Sequence, residues 1–226
     1  LPVRLAGRLV AIRDMGKSVF ATLADVHGRI QIYLNMKEVS EQDWAAWKLL
    51  DMGDWIGVAG TTFTTGKGEP SVKVEMLTVL SKALRPMPDK WHGVADREIK
   101  YRKRHLDLMS NEESANIFIN RSRMVAEIRN FFHQRGYLEV ETPMLQSVAG
   151  GAAARPFETH HNALSMPLTL RIAPELFLKR LLVGGFTKLF ELNRNFRNEG
   201  ISRRHNPEFT MLEAYQAFAD FEIMAD

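Results

Sequence analysis

The segment from residue 188 to residue 217 constrains the fold of this chain most. It places charged side chains inside a pattern that otherwise predicts a sheet. Residues 188–197 and 209–217 are each predicted to be a strand. A basic loop that contains Arg203, Arg204 and His205 joins them. A domain built around this pair must therefore accommodate a polar sheet face rather than a purely apolar core.

The polar side chains of this pair fall on shared strand faces, because residues two apart point the same way. The second strand carries Phe209, Met211, Glu213 and Tyr215 on one face. Arg197 and Glu199 also share a face if the first strand runs on. Any one of these charges is compatible with a solvated hairpin, since charges are rarely buried unless paired or used. Together they favour a nucleoside triphosphate site, where arginine matches phosphate geometry and a flat ring stacks on a base.

Composition limits the class of protein. The chain has 226 residues, 45% hydrophobic and 25% charged, which is typical of one large or two ordinary globular domains. It contains no cysteine, which excludes disulfides and thiolate metal sites within it. No apolar run is long enough to cross a bilayer and no signal peptide is evident, so we expect a cytoplasmic protein without a membrane partner. A net charge of +3 permits RNA binding without requiring it.

The N-terminal third predicts a small β-barrel. Alternating segments predict strands over residues 3–12, 18–25, 29–34, 55–64 and 72–80. A helix is predicted over residues 41–50, between the third and fourth strands. Five strands with a helix at this place are the layout of an OB-fold, which binds single-stranded nucleic acid.

The middle of the chain predicts a linker and a long helix. Residues 82–90 contain two prolines, which disfavour helix and stiffen a linker. A basic run follows over residues 97–105, which suits either tRNA phosphates or a solvated helix face. Ser110 and Glu113 have the spacing of a capping box for a helix over residues 112–135, which Gly136 would end.

Several motifs, in order, resemble those of one enzyme family. Phe196–Gly200, Arg204–Thr210 and Glu213–Tyr215 resemble motif 2 of class II aminoacyl-tRNA synthetases, and most closely the bacterial-type lysyl-tRNA synthetases. Gly136–Leu145 resembles motif 1, which builds the homodimer interface in that family. The resemblance covers nearly the whole chain. It implies an α+β protein in which an OB-fold barrel precedes a partial class II antiparallel sheet with flanking helices.

The resemblance also implies a domain plan and an activity. Residues 1–82 would bind the anticodon, residues 83–110 would link the domains, and residues 111–226 would form an incomplete catalytic domain without motif 3. The activity would be lysine–tRNA ligation: lysine and ATP form lysyl-adenylate, and the lysyl group then passes to tRNA(Lys). Motif 3 and the carboxylates that bind Mg²⁺ are expected outside this chain, so we expect no metal ligands within it and no aminoacylation by these residues alone.

Residue roles follow from the same resemblance. Arg197 would be catalytic, bridging the α-phosphate of ATP and the carboxylate of lysine. ATP would be bound by Arg197, Glu199, Arg204, His205, Asn206 and Phe209. Lysine would be bound by Gly151, Glu175, Arg197, Glu213 and Tyr215. The anticodon would be bound by Arg13, Phe20, Gln31 and Glu75, with Phe20 stacking on a base.

Other interpretations remain open from the sequence. The chain could be a truncated tRNA-binding fragment without catalysis, or a related class II enzyme of the aspartyl, asparaginyl or protein-lysylating type. The adjacent His160 and His161 point to opposite faces of a strand without an evident third ligand, so we predict no zinc site there. For Phe20 and Gln31 alone, ordinary core and surface positions in a barrel are the alternative.

Overall fold

The computed structural model describes residues 1–88 and 94–225. Its strands are β1 (Pro2–Asp14), β2 (Ser18–Ala24), β3 (Arg29–Asn35), β4 (Trp55–Thr64), β5 (Pro70–Ser81), β6 (Leu138–Glu139), β7 (Leu145–Gln146), β8 (Glu158–His161), β9 (Met166–Leu170), β10 (Lys188–Phe196) and β11 (Glu208–Gln216). Its helices are α1 (Glu41–Trp47), α2 (Arg97–Arg102), α3 (Arg104–Ser110), α4 (Glu112–Gln134), α5 (Glu175–Val183) and α6 (Phe221–Ala225). Asp89 and Lys90, the end of the predicted linker, lie outside the described residues.

The first five strands close into a barrel in the order β1-β2-β3-β5-β4, with α1 between β3 and β4. This confirms the OB-fold prediction. In β2 the side chains alternate strictly, so that Val19, Ala21 and Leu23 are buried while their neighbours are partly exposed. Trp44 and Trp47 of α1 complete the barrel core. The period-2 pattern of the sequence thus sets which strand face is inside.

Two local features stabilise the ends of barrel strands. Gly28 adopts φ +150°, and the Asp25 carboxylate accepts hydrogen bonds from the amides of His27 and Gly28 at the β2–β3 turn. Asp54 is completely buried just before β4. Its carboxylate accepts from the amides of Asp51 and Ala83 and from the Lys82 ammonium, each at 2.7 Å. A buried carboxylate with three donors fixes this end of the barrel.

The chain divides into two compact units, Leu1–Asn116 and Ile117–Asp226. In the second unit one sheet has the order β11-β10-β6 and another has the order β7-β9-β8. The β10–β11 and β8–β9 pairs are antiparallel, and β6 joins β10 in parallel. Phe132 of α4 stacks on Phe190 of β10 at 4.8 Å between ring centroids, which packs the helix on the first sheet. The sheets and flanking helices confirm the α+β fold class.

The start of the long helix differs from the prediction in one respect. Ser110 is not its cap, because it ends α3, where its hydroxyl donates to the Leu106 carbonyl. Instead the Asn111 side chain accepts from the amides of Glu113 and Ser114. The basic run before it forms α2 and α3, in agreement with the helical alternative given for that run. The helix ends as predicted, with Gly136 at φ +77°.

Candidate functional site

The β10–β11 hairpin carries the candidate site on one face. Its antiparallel register pairs Asn195 with Phe209 and Glu191 with Glu213. Because alternate residues share a face, odd-numbered side chains of both strands point the same way. The amide of Arg197 donates to the Pro207 carbonyl at 2.9 Å, which continues the pairing just beyond β10. Phe209 and Glu213 are four residues apart, about 13 Å along the strand, so the two ends of this face form separate subsites.

The first subsite is a cavity of about 250 Å³ at the loop end of the hairpin. Its lining contains all six predicted ATP-binding residues: Arg197, Glu199, Arg204, His205, Asn206 and Phe209, together with Gly200 and Pro207. The Arg197 guanidinium lies 5.2 Å from the centre of the Phe209 ring. A cation, a flat ring and a carboxylate therefore surround one space, which is the chemistry that a nucleotide requires.

Hydrogen bonds fix the loop that forms this cavity. The Ser202 hydroxyl and His205 Nδ1 lie 2.8 Å apart, and the Asn206 amide group donates to the Glu208 carbonyl at 2.7 Å. On the other side, Glu199 Oε1 accepts from the amide of Arg155 at 3.2 Å, and the amide of Asn198 donates to the Arg155 carbonyl. The segment at Arg155 thus holds the loop against β10, a contact that the sequence did not reveal.

Arg197 has spare hydrogen-bonding capacity in this cavity. Its Nε is buried without a hydrogen-bond partner among the residues that the structure describes. The Asn195 side chain on the same face is also buried, and neither of its polar atoms has a partner there. Buried polar groups are ordinarily satisfied, so each of these is suited to a polar ligand.

The second subsite is an acidic cluster at the other end of the hairpin. The Tyr215 hydroxyl donates to Glu213 Oε2 at 3.1 Å. Burial raises the pKa of the Glu213 carboxyl above its ordinary value, and the nearby Glu175 and Glu191 carboxylates raise it further. Burial and the adjacent Glu213 also raise the pKa of the Tyr215 phenol, which therefore stays protonated as a donor. This combination favours a ligand that brings positive charge.

Gly151 and Glu175 lie beside each other at this subsite. Gly151 has φ +87°, and a Cβ atom there would lie 2.9 Å from the Glu175 Cβ and 3.3 Å from the Ala173 Cβ. Only glycine is accommodated at such a position without strain. Glu175 opens α5, where its carboxylate accepts from Lys179 Nζ at 2.5 Å. The predicted lysine-binding residues Gly151, Glu175, Glu213 and Tyr215 thus cluster, while Arg197 lies nearer the nucleotide cavity.

Beside Glu213 on this face, Glu191 belongs to a buried polar network that no sequence pattern predicted. Arg171 Nη1 donates to Glu191 Oε1 at 2.6 Å, and the Thr142 hydroxyl donates to Glu191 Oε2 at 2.6 Å. Arg171 Nε also donates to the Arg194 carbonyl at 2.8 Å. Arg171 and Glu191 are 0% and 1% exposed. The sequence offered one indication of this network, which is a glutamate between the apolar residues 190 and 192 of a strand. Its partner Arg171 is 20 residues away and outside that strand, so no local pattern connects the two.

The barrel presents a second candidate surface on its outer face. Cross-strand pairing aligns Arg13, Phe20, Tyr33 and Lys73 in one row over four strands. The rings of Phe20 and Tyr33 are 4.9 Å apart, and both are partly exposed. Tyr33 was not among the predicted anticodon residues, although it shares strand parity with Gln31. An aromatic and basic row on a barrel face suits single-stranded nucleic acid.

The other predicted anticodon residues lie near this row but already have partners. The Gln31 amide donates to the Ser71 hydroxyl at 2.8 Å, and Glu75 Oε1 accepts from the Thr61 hydroxyl at 2.7 Å. Each group retains further acceptors or donors for a base edge. Across residues 1–88 and 94–225, no group of three or more histidine, aspartate or glutamate side chains is placed to hold a metal ion, and no helix is long and apolar enough to cross a membrane.

Comparison with known protein families gives two matches along the chain. Residues 3–80 match the OB-fold nucleic acid binding domain family. Residues 96–226 match the family described as tRNA synthetases class II (D, K and N). The first match coincides with the barrel, and the second contains the β10–β11 hairpin.

Individual curated proteins are similar along almost all of this chain. The lysine–tRNA ligase of Carboxydothermus hydrogenoformans is 58% identical over 99% of the chain and 46% of its own length. Those of Idiomarina loihiensis and Syntrophomonas wolfei are 57% and 55% identical, over 99% and 98% of the chain and 45% of their own lengths. The chain therefore spans a little under half the length of these relatives. Because the synthetase family match covers more than half of the chain, the chain belongs to the class II tRNA synthetases of the D, K and N group.

Proposed function

We propose that the protein containing this chain is a lysine–tRNA ligase. It activates lysine with ATP and transfers the lysyl group to tRNA(Lys). The observation that carries this proposal is that one hairpin face carries both an acidic cluster and a cavity lined by an arginine, a carboxylate and an aromatic ring. The names of the relatives agree with it. The aspartyl and asparaginyl branches of the same family act on an acidic or neutral amino acid, which an acidic cluster would not favour.

The activation step uses the nucleotide cavity. A lysine carboxylate oxygen attacks the α-phosphorus of ATP, the bond to pyrophosphate breaks, and lysyl-adenylate forms. Arg197 lies between the α-phosphate and the lysine carboxylate and stabilises the charge that develops there. Phe209 stacks on adenine, Glu199 accepts from the adenine amine, and Arg204, His205 and Asn206 lie near the phosphates. Positioning and charge stabilisation suffice, and no covalent enzyme intermediate is required.

Lysine is bound by the acidic cluster. Glu213 and Tyr215 receive the side-chain ammonium, and Glu175 receives the α-ammonium beside the Gly151 backbone. Mg²⁺ would accompany ATP and would neutralise charge on its phosphates. The second step, attack of the tRNA ribose hydroxyl on the adenylate carbonyl, releases AMP.

The direct test of this assignment is equilibrium binding to a Glu213→Ala variant of the full-length protein. A buried ammonium needs counter-charge, so we expect lysine affinity to fall at least about tenfold (1.4 kcal/mol), with ATP affinity unchanged. Calorimetric titration with each ligand measures both. Unchanged lysine affinity in a folded variant would refute the assignment of the acidic cluster.

We further propose that the barrel row binds the anticodon of tRNA(Lys), supported by the partly exposed ring of Phe20. Stacking of a base on an aromatic contributes about 1–3 kcal/mol. Replacement of Phe20 by alanine should therefore weaken binding of an anticodon stem-loop roughly 5- to 150-fold. Val26→Ala is the matched control, because Val26 is 92% exposed at the β2–β3 turn, away from the row. Equal loss in both variants would mean that the row is not the binding surface.

A homodimer through the motif 1 region, together with the helix α4 that leads into it, is the third part of the proposal. No side chain of α4 is buried. Ile117, Met124 and Phe131 are 66%, 58% and 45% exposed, so the helix carries apolar area that a partner subunit would cover. Replacing Ile117 and Met124 by glutamate should shift the full-length protein from dimer to monomer in analytical ultracentrifugation. A variant that remains dimeric would place the interface elsewhere.

A further inference from the structure

The Arg171–Glu191 ion pair is completely buried and lies beside the acidic cluster. Arg171 is fixed by the carbonyls of Arg194 and Thr142 as well as by Glu191, so its guanidinium cannot move far. Glu191 in turn accepts from the hydroxyl and the amide of Thr142. Both charged groups are at most 1% exposed. Buried ion pairs seldom add net stability compared with apolar packing, so a role in stability alone does not account for this one.

The network lies directly beside the carboxylate that we assign to ligand binding. Glu191 is the ladder partner of Glu213, and directly paired side chains lie on the same sheet face about 5 Å apart at their Cβ atoms. Arg171 is close enough to Glu213 to lower its pKa, and Glu191 is close enough to raise it, although burial has the larger effect. The two members of the pair thus act on Glu213 in opposite directions.

Lys179 engages only Oε1 of Glu175, so Oε2 is left for the ligand α-ammonium proposed above. A count of charges shows which carboxylate is left for the side-chain ammonium of the ligand. Glu175 has Lys179 as its ion-pair partner, and Glu191 has Arg171. Glu213 has only the neutral Tyr215 hydroxyl within hydrogen-bond distance among the described residues. The cluster thus contains three carboxylates and two protein cations, which leaves Glu213 without a cation of its own. A ligand ammonium supplies the missing charge.

We propose that Glu191 is a specificity-determining positioning residue, which neutralises and holds Arg171 so that this guanidinium does not compete with the ligand ammonium for Glu213. This inference rests on the proposed lysine-binding role of the cluster. Without the Glu191 charge, the fixed guanidinium would lie uncompensated beside Glu213 and would occupy the electrostatic place of the ligand. The same pair explains how a site for a cation tolerates a buried arginine next to it.

The test compares lysine affinities of variants in the full-length protein, with L-lysine and ATP as separate calorimetric probes. Glu191→Gln retains the shape and one acceptor but removes the charge. We expect it to weaken lysine binding at least tenfold and to leave ATP binding within about twofold. Glu208→Gln is the matched control, because it removes an exposed carboxylate from the same hairpin and should leave both affinities unchanged.

A double variant, Arg171→Met with Glu191→Gln, separates charge balance from structural damage. It removes both charges together, a change that buried ion pairs often tolerate better than the loss of one partner. We expect it to recover lysine affinity to within about threefold of the wild type. A purely structural role for the network predicts instead that the double variant binds lysine as weakly as the single variant, or more weakly.

The outcomes distinguish this inference from the proposed function. If wild-type protein does not bind lysine, the proposed function fails and the inference fails with it. If the wild type binds lysine and Glu191→Gln binds it equally well, only the inference is overturned. If Glu191→Gln does not fold, the double variant decides: recovered lysine binding supports charge balance, and selective loss of lysine binding with intact ATP binding overturns it.

Discussion

The barrel contains a completely buried carboxylate and the β10–β11 hairpin a partly buried one, and the two differ in how far protein donors satisfy them. In the barrel, Asp54 receives three hydrogen bonds and lies at a strand junction away from the proposed RNA-binding row. In the hairpin, Glu213 has one neutral partner and a raised pKa, while Arg197 and Asn195 have buried polar atoms without partners among the described residues. A satisfied buried charge stabilises a fold, whereas an unsatisfied one marks a place where a ligand completes the set.

The largest expected effect is on catalysis, at Arg197. Its replacement by alanine should lower lysine-dependent ATP–pyrophosphate exchange about 10²- to 10³-fold, since it removes a charge-stabilising donor in the transition state. The thermal midpoint should hardly change, because Arg197 Nε has no partner among the described residues to lose. Exchange kinetics and thermal denaturation measure the two quantities.

The matched control for this variant is Arg194→Ala. Arg194 lies in β10, three residues before Arg197, with its side chain 49% exposed and a long 3.5 Å contact to Glu208. Exposed ion pairs of this kind contribute little to stability. The rate of exchange should therefore stay within about twofold of that of the wild type, and the thermal midpoint should hardly change. Equal loss of exchange in both variants would contradict a specific role for Arg197.

The next effect is on stability, at Asp54. Its replacement by alanine leaves buried amide donors unpaired and should lower the free energy of unfolding by about 2 kcal/mol, with lysine binding unchanged. Burial acts to raise the pKa of Asp54, but hydrogen bonds from Lys82, Asp51 and Ala83 outweigh it and hold this pKa below its ordinary value of 3.8.

The lowered pKa gives this prediction a pH dependence. A carboxyl group with a depressed folded pKa contributes stability above its unfolded pKa, and that contribution is lost as the pH falls through the folded value. The wild type and Asp54→Ala should therefore converge in stability as the pH falls below 3.8. Urea denaturation over this range measures the difference, and a difference independent of pH would refute the account. Asp51→Ala, with a 79% exposed side chain, is the control.

The smallest expected effect is on stability at Glu213. Its pH dependence has the opposite sign to that at Asp54. Because its folded pKa is raised, the stability linked to this group is present below its unfolded pKa and is lost as the pH rises through the folded value. Replacement by glutamine, which retains an acceptor for Tyr215, should therefore not destabilise the protein at neutral pH and should raise its thermal midpoint slightly. A midpoint lower than that of the wild type would contradict the contrast between Asp54 and Glu213.

The two regions also differ in how far the sequence predicted them. The barrel strands were predicted from the alternation of apolar and polar residues, which is a local pattern within each strand. The structure confirms that these strands exist and follow one another along the chain as predicted. The residues of the nucleotide cavity were named from a contiguous motif, and the hairpin brings them together because a ladder pairs residues close in sequence. The pairing of Arg171 with Glu191 joins separate elements, so no local pattern predicted it. The predicted cap of α4 was wrong, because Asn111 rather than Ser110 lies at the junction with α3 and caps the helix.

The central claim is that the acidic cluster selects lysine within a family whose members take different amino acids. ATP–pyrophosphate exchange by the full-length protein, measured with lysine, aspartate and asparagine in turn, tests it most directly. We expect exchange with lysine and none above background with aspartate or asparagine. Exchange supported by aspartate or asparagine, with none supported by lysine, would contradict it.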